Sequence, residues 1–571
     1  MFPCAPGAQV LRLNALRLPL DHDEDALVAA VLRRLRLPAA DLLSHTVVKR
    51  SIDARKRQAI QLSYGLDLEV KGEAAVLRRF SGDPQIQPSP DTRYRPVARA
   101  PEHWGSGGER RPIVVGAGPC GYFAALLLAQ MGFRPVLLER GKAVKERSAD
   151  TFGFWRGTSP FDPESNAQFG EGGAGTFSDG KLYSQVRDPR HIGRKVLEEL
   201  VASGANPEIL SLHRPHIGTF KLATVVRNLR ARIEALGGEV RFSSRVERLL
   251  IEGAGSGRRV VGVKLVDGRS LEAEQVVLAI GHSARDTFAG LHSQGVAMEL
   301  KPFAVGLRIE HPQSLIDQAR WGARAGHPLL GAAEYKLVHH ASNGRTAYSF
   351  CMCPGGLVVG AASEAGGVVT NGMSQHSRNE RNANSAIVVG ITPDDVAPFG
   401  IGPGDPLAGV AFQRHWEAKA FALGGGTYQA PGQRLEDFLA GQPSEGCGAV
   451  RPSYAPGVRF TDLGASLPGE VITAIREALP AFERRIPGFA MAGAVLTGVE
   501  TRTSSPLRLP RSETFESTNT AGLYPAGEGA GYAGGILSAA IDGIEVAEAV
   551  ALTLHRRHFP GAPDESACDP A

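Results

Sequence analysis

Long apolar runs are missing from this sequence. No stretch approaches the roughly 18 residues that a membrane-crossing helix needs, and the first residues lack the basic-then-apolar order of a secretory signal. The chain therefore reads as cytoplasmic, with no membrane partner. Cysteine is scarce, six in 571 residues, which excludes a disulfide scaffold. One Cys351-x-Cys353 pair supplies too few ligands for structural zinc, and no H-x-H or H-E-x-x-H spacing occurs, so no metal is expected. A charge bias is missing too: 63 Lys and Arg against 59 Asp and Glu leave a net +4, too little to mark a polyanion-binding protein. Glycine, by contrast, is in excess. It supplies 69 of 571 residues against a usual share of about 7%, without a collagen period, and so points to tight turns and close backbone approaches.

The length predicts three to four structural units at about 150 residues each. Residues 1–80 read as a small α+β domain. Strands are expected at Val10–Leu18, His45–Lys49 and Leu62–Val70, with helices at Glu24–Leu35 and around Ala74–Phe80. Residues 81–110, rich in proline and glycine, read as a linker. The basic cluster Lys49, Arg50, Arg55, Lys56 and Arg57 lacks the interleaved aromatics that base stacking uses; a solvated rim or a contact with the main body is the favoured reading. From residue 111 the pattern turns α/β: a strand at Pro112–Val115, a helix at Tyr122–Met131 and a strand at Pro135–Leu138. Later strands are expected at Val240–Leu250, Arg259–Val266 and Val276–Ile280, with Asp267-Gly268 as a hairpin turn. Between about 300 and 490 the pattern lapses into glycine and polar loops.

Gly116-Ala117-Gly118-Pro119-Cys120-Gly121 reads G-x-G-x-x-G between an apolar strand and an apolar helix, with a second strand ending at Glu139. Gly116 allows the tight turn, Gly118 the approach of a pyrophosphate and Gly121 close helix–strand packing. The helix start offers free N–H groups and the positive dipole end to phosphates. Glu139, about 20 residues on, is placed to accept adenosine ribose hydroxyls. This unit binds NAD and FAD alike.

Three separated segments resemble the glutathione-reductase-type FAD-binding superfamily: Gly116 to Glu139, the strand and turn Val276 to Gly281, and Gly522 to Gly529 ahead of the helix start Gly531 to Gly535. The resemblance implies FAD, with Glu528 in the place of the acid that bonds the ribityl chain, and Gly527, Gly534, Gly535 and Ile536 against the diphosphate or flavin. More narrowly, nearly the whole chain resembles a bacterial family of largely uncharacterised FAD-dependent dehydrogenases, through Phe169 to Leu182, Cys351 to Gly356, Thr370 to Ser374 and Val499 to Pro506. The fold class expected is α/β: a Rossmann-like FAD-binding domain in two parts, 111–300 and 496–555, an inserted substrate or cap domain at 301–495, the small N-terminal domain, and a tail at 556–571.

Within the loop 170–182, Gly173, Gly175, Thr176, Ser178, Gly180 and Lys181 suit an anion nest at the pyrophosphate or flavin edge. Arg140, Lys142 and Arg147 are candidates for neutralising the diphosphate. In the chemistry itself, Arg502 is a candidate for stabilising reduced flavin or binding an acidic substrate, against a loop-anchoring ion pair; Glu500 is its nearest partner along the chain. Cys351 and Cys353 are candidate catalytic thiols, although a one-residue gap strains a disulfide. His282 is a candidate proton donor, with His339, His340 and His376 behind it. The expected activity is FAD-dependent oxidation or reduction of a small organic molecule, with NAD(P)H or a redox carrier protein as possible electron partner. The alternatives are a flavoprotein acting on tRNA and a non-enzymatic flavin redox sensor.

Overall fold

The computed structural model describes residues 10–559 except 103, 106, 107 and 185. Cys4, Cys568 and most of the expected tail lie outside the described residues. The small N-terminal domain is a four-stranded antiparallel sheet carrying two helices. Its order is Leu42–Asp53, Gln61–Val70, Leu11–Pro19, Ile86–Pro88. In the strand Leu11–Pro19, Leu11, Leu13 and Leu18 are buried. A bulge at Ala15, with φ of 54°, resets the alternation between Leu13 and Leu16, so apolar residues keep facing the core despite the odd spacing. The helix Glu24–Leu35 carries Glu24 and Asp25 in its first turn and Arg33 and Arg34 in its last, the arrangement its dipole favours. The expected linker opens with a strand, Ile86–Pro88, which completes this sheet. Of the basic cluster, Arg55 pairs with Asp53 at 2.8 Å. The backbone of Arg50 joins the domain to the main body through Ser211 and His213 at 2.6 and 2.9 Å.

The central sheet is parallel, in the order Leu523–Pro525, Val276–Leu278, Ile113–Val115, Val136–Leu138, Glu239–Arg241. Four of these three-residue strands are wholly buried, as strands covered on both faces must be. Each of those four runs at its carboxyl end into a segment of interest: Gly116, Glu139, the turn Ala279 to Gly281, and Ala526 to Glu528. The helix Pro119–Gln130 is buried all round between this sheet and the long helix Ile536–His558. The expected strand Val240–Leu250 is two strands. Glu239–Arg241 closes the parallel sheet, and Val246–Glu252 enters a separate antiparallel sheet with Arg259–Leu265 and Ser270–Glu272.

The region read as glycine-rich loops is instead an eight-stranded, mostly antiparallel sheet. At its centre lie Phe303–Pro312, Asn382–Ile391 and Val495–Glu500, all almost wholly buried. Covered on both faces, they show no alternation for sequence reasoning to find. This sheet brings three segments to the carboxyl edge of the parallel sheet: the bulged strand Thr346–Gly360, the strand Thr370–Met373, and the chain leaving Glu500. The fold is therefore α/β, a small N-terminal domain followed by a larger Rossmann-like region with mixed sheets.

Candidate FAD and substrate cleft

One cleft runs along that edge from Glu139 to Arg502. The space between its walls, open mouth included, is about 1550 Å3. Its first half is backbone. A Cβ on Gly121 would fall 1.8 Å from the carbonyl oxygen of Gly116, so only glycine permits this contact between helix and turn. A Cβ on Gly173 would fall 2.9 Å from the Cα of Gly118, which puts the loop 170–182 directly against the turn. The helices Pro119–Gln130 and Ile536–His558 both begin here, behind Gly118 and Gly535, and neither has a side-chain cap. Two sets of free N–H groups and two positive dipole ends thus border one cleft.

Glu139 lies at the end of its strand and is 5% exposed. Its carboxylate accepts from the N–H groups of Ala117 at 2.8 Å and of Gly141 and Gly170 at 2.9 Å, which fixes it in the cleft wall. Gly116, Gly118, Pro119, Cys120, Gly175, Gly180, Lys181, Gly281, Gly527, Gly535 and Ile536 also line the cleft. The Cys120 thiol is buried and pushed up by that burial, in keeping with a small packing residue. Ser178 reaches the cleft, but its hydroxyl is engaged with Gly175 O and Gly180 N–H at 2.7 and 3.0 Å.

Several expected roles do not survive this geometry. Arg147 is fully buried behind the wall, donating to the carbonyls of Asn166, Ala167, Gly170 and Glu171 at 2.7 to 3.3 Å. It builds the loop 166–171 and does not reach a diphosphate. Arg140 lines the cleft but is committed to Glu164 and Asp286 at 2.9 and 2.8 Å, and Lys142 to Asp150 and Asp162 at 2.9 and 3.2 Å. These cations are thus engaged with carboxylates of the protein itself, whereas the two helix starts at the cleft carry no side-chain cap. Thr176 is buried with its hydroxyl on Glu171 O at 3.3 Å, off the cleft wall. Gly534 is also off the lining, and no atom lies within 4 Å of where its Cβ would be.

The second half of the cleft is built by side chains. Glu528 closes the middle, and burial pushes its carboxyl up to about 7 against the opposing charge of Lys301. Arg502 pairs with Glu417, not with Glu500. Its Nε and Nη2 donate to that carboxylate at 3.1 and 2.9 Å, and Nη1 donates to Ser283 at 3.1 Å and to Ser363. Arg285 takes the same carboxylate at 2.7 and 2.8 Å. Despite burial, the two guanidiniums hold Glu417 well below the usual carboxylate range. Glu500 is bound instead by the fully buried Arg308 at 2.8 and 3.0 Å. That guanidinium also donates to Asn384 at 2.8 Å and to the Cys351 carbonyl at 3.2 Å. Burial, with Arg308 opposing, raises the Glu500 carboxyl.

His282 faces the cleft. Burial, with Arg502 and Arg285 close by, pushes its imidazole down to about 3, leaving it neutral at physiological pH. His339 pairs with Glu477 at 2.9 Å, His340 is exposed beside Thr346, and His376 stacks on His216 with ring centroids 5.1 Å apart; none reaches the cleft. Cys351 lines it and Cys353 lies just behind, both as free thiols. Sequence reasoning missed Phe350, Asn371 and Ser283 on the wall and Arg285, Arg308 and Glu417 behind it. Asn371 falls within the Thr370–Ser374 segment without being singled out there, and Ser283, Arg285, Arg308 and Glu417 meet their partners across tens to hundreds of residues.

Fold and cradle together define an FAD-binding oxidoreductase. The two glycine-ended helices and the Gly118–Gly173 approach fit a dinucleotide diphosphate, and FAD is the cofactor. Residues 302–503 match the family described as FAD-dependent protein, C-terminal domain-like, and 160–310 match flavin containing amine oxidoreductase; residues 11–69 match a domain of unknown function. An uncharacterized protein of Clostridium beijerinckii is 45% identical over 542 residues, covering 94% of this chain and 98% of its own length. The chain belongs to that protein's family, FAD-binding oxidoreductases related to the amine-oxidase superfamily.

Solved structures resemble it more distantly. The glycerol-3-phosphate dehydrogenase of Bacillus halodurans complexed with FAD is 12% identical, over 81% of this chain and 67% of its own, with a TM-score of 0.34. PqsL of P. aeruginosa in complex with 2-aminobenzoylacetate is 12% identical, over 81% and 90%, at 0.31. Thermovibrio ammonificans THI4 is 19% identical, over 33% of this chain and 64% of its own, at 0.22. Among the described residues, no helix is long and apolar enough to cross a membrane.

Proposed function

We propose that the protein is an FAD-dependent dehydrogenase or reductase whose small organic substrate binds in the second half of the cleft. Residues 111–300 and 496–555 hold the cofactor, and 301–495, with the chain from Glu500 to Thr503, supply the substrate wall. The observation that carries this reading is continuity: one cleft joins the glycine cradle to a cluster of fixed polar side chains at Cys351, Asn371, Glu500 and Arg502. Bound FAD supplies the electron transfer, so the chain's own tasks are positioning, charge and water exclusion.

Gly116, Gly118 and Gly121 with Glu139 orient the adenosine half, and the uncapped helix at Gly535-Ile536 takes the diphosphate. Glu528, whose carboxyl is held up to about 7 by burial, would lie on the ribityl or flavin side of the cleft, where it can hold or release a proton near neutral pH. Arg502 cannot move, since Glu417, Ser283 and Ser363 take four of its N–H contacts. A guanidinium has five N–H groups, and the one left over gives an anionic or carbonyl oxygen of a substrate a fixed partner. Phe350 and Thr503 close the wall around it.

The test is anaerobic titration of the FAD-loaded protein with NADH and NADPH, following the oxidised-flavin absorbance. Bleaching by either makes the nicotinamide the electron donor. Without bleaching, the reductant is the organic substrate or a carrier protein, and a substrate screen follows. The reading fails if the flavin exchanges electrons with no small molecule but its redox state changes affinity for a protein partner.

A further inference from the structure

The cleft wall carries a sulfur pair that the proposed oxidoreductase role leaves unused. In a regular strand residues i and i+2 share a face, yet Cys351 lines the cleft and Cys353 is 0% exposed behind it. The cause is a bulge. The pairing of Thr346–Gly360 with Asn382–Ile391 shifts register between Phe350 and Cys353, and Cys351 takes the left-handed region at φ 43°. Non-glycine residues hold such a conformation only where their surroundings fix it. Here Arg308 binds the carbonyl of Cys351 at 3.2 Å and Lys181 binds that of Met352. The Cys353 thiol also lies on the Cys351 carbonyl at 3.4 Å.

We propose that Cys351 is a nucleophilic thiolate of the substrate site, taking soft electrophilic carbon such as the alkene of an enone or a quinone, with Cys353 and Lys181 as positioning residues. This rests on the reading of that end of the cleft as the substrate end. In the step, a sulfur lone pair forms a C–S bond to the β-carbon while the alkene π pair moves towards the carbonyl oxygen. A proton from water then completes the α-carbon. Nothing is oxidised or reduced, and reversal expels the thiolate. The groups facing the sulfur are consistent with the charge: the neighbouring Cys353 thiol, with Lys181 and Arg308 nearby, pulls the Cys351 thiol down, against burial and the charge of Glu500. Cys353 is pushed up by the same contact and keeps the pair's proton. Glu528 also lies within electrostatic reach.

The experiment uses the full-length, FAD-loaded protein and N-ethylmaleimide from pH 5 to 9, with the Cys351 peptide quantified by mass spectrometry and glutathione in the same solution as reference. At pH 6, Cys351 is expected to retain roughly half of its plateau rate, where an ordinary thiol with a pKa of about 8.5 retains under about 1%. Normalising to the plateau removes differences in access. Cys353→Ala should move the profile up in pH, and Cys353→Ser, which keeps a donor, should restore it. The wild-type profile needs no variant to fold. A profile that follows glutathione overturns the proposal, as does a Cys351 unlabelled at every pH or a profile indifferent to Cys353→Ala. Labelling is independent of turnover. An acidic thiolate on a protein that exchanges no electrons sinks the oxidoreductase reading alone; an ordinary thiol on an active flavoprotein sinks this proposal alone.

Discussion

The two halves of the cleft are built by opposite means. The cradle is assembled from short glycine-rich segments, around Gly116–Gly121, Gly173 and Gly535, each a local device in itself, and its grip is backbone: glycines that let chain segments touch and two helix starts without caps. The nearby cations Arg140, Lys142 and Arg147 are all spent on the protein itself. The far half is made by distant residues and its grip is side chain. Arg502 meets Glu417 across 85 positions, Arg285 meets it across 132, and Arg308 meets Glu500 across 192. A dinucleotide presents the same diphosphate to every protein that binds it, so a local backbone device suffices. A particular substrate needs charges placed at particular points, and buried charges need partners that only a whole fold can bring.

If the cradle is a backbone device, adding one methyl group should break it. In Gly121→Ala the new carbon lands 1.8 Å from Gly116 O, and neither the helix nor the turn can give way without opening the cradle. Bound FAD after gel filtration should fall more than about tenfold, with a loss of thermal stability typical of core overpacking, roughly 1–3 kcal/mol or more. Full FAD occupancy in this variant would end the distinction between the halves. The counterpart at the far end is Glu417→Ala, which strands two buried guanidiniums. Breaking a buried ion pair costs about 3–5 kcal/mol, read by urea denaturation, whereas FAD content of the folded fraction should hold. If FAD is lost in step with stability, the halves are one cooperative unit.

That division also explains what the sequence made legible. The α/β class, the helix Glu24–Leu35 and the turn from Gly116 to Gly121 were readable because periodicity and glycine spacing are local signals. The large sheet was not, since strands such as Phe303–Pro312, buried on both faces, lack alternation. The partner of Arg502 was misjudged for a related reason. Glu500 is two residues away and reads as the natural mate, but Arg308 from the adjacent strand claims it, leaving Arg502 to a helix far along the chain. Arg147 was misplaced because a cation near a glycine motif looks the same in sequence whether it faces phosphate or four carbonyls.

Glu528 sits where the halves meet, and pH separates its two states. Burial holds its folded carboxyl at about 7 against an ordinary 4.5. Below 4.5 the group is protonated in both folded and unfolded chains and contributes nothing. As pH rises towards 7 the unfolded chain releases the proton and the folded one retains it, so the group destabilises the fold increasingly; above 7 the penalty is constant, on the order of 3–4 kcal/mol. In the FAD-free protein, Glu528→Gln should therefore match wild type at pH 4 and exceed it at pH 8 by up to that amount in urea unfolding. An equal difference at both values would show that the carboxyl titrates normally and that the middle of the cleft is wet.

The smallest effect should come from Gly534→Ala, and it sharpens the comparison most. Gly534 belongs to the same glycine-rich helix start as Gly535, but its surroundings differ. No atom lies within 4 Å of the new carbon, and its contacts with Ser538 at 3.2 and 3.0 Å are backbone ones that alanine retains. FAD affinity should stay within about twofold, since surface substitutions without a lost contact rarely exceed about 0.5 kcal/mol. Gly535→Ala, at φ 100°, should cost more, about 1–2 kcal/mol for a left-handed position. Two adjacent glycines with unequal effects would show that backbone conformation, and not glycine content, makes the cradle. A large loss of FAD in Gly534→Ala would instead place the bound cofactor in the open space beside Gly534, and the cleft wall would have to be redrawn one residue further along the chain.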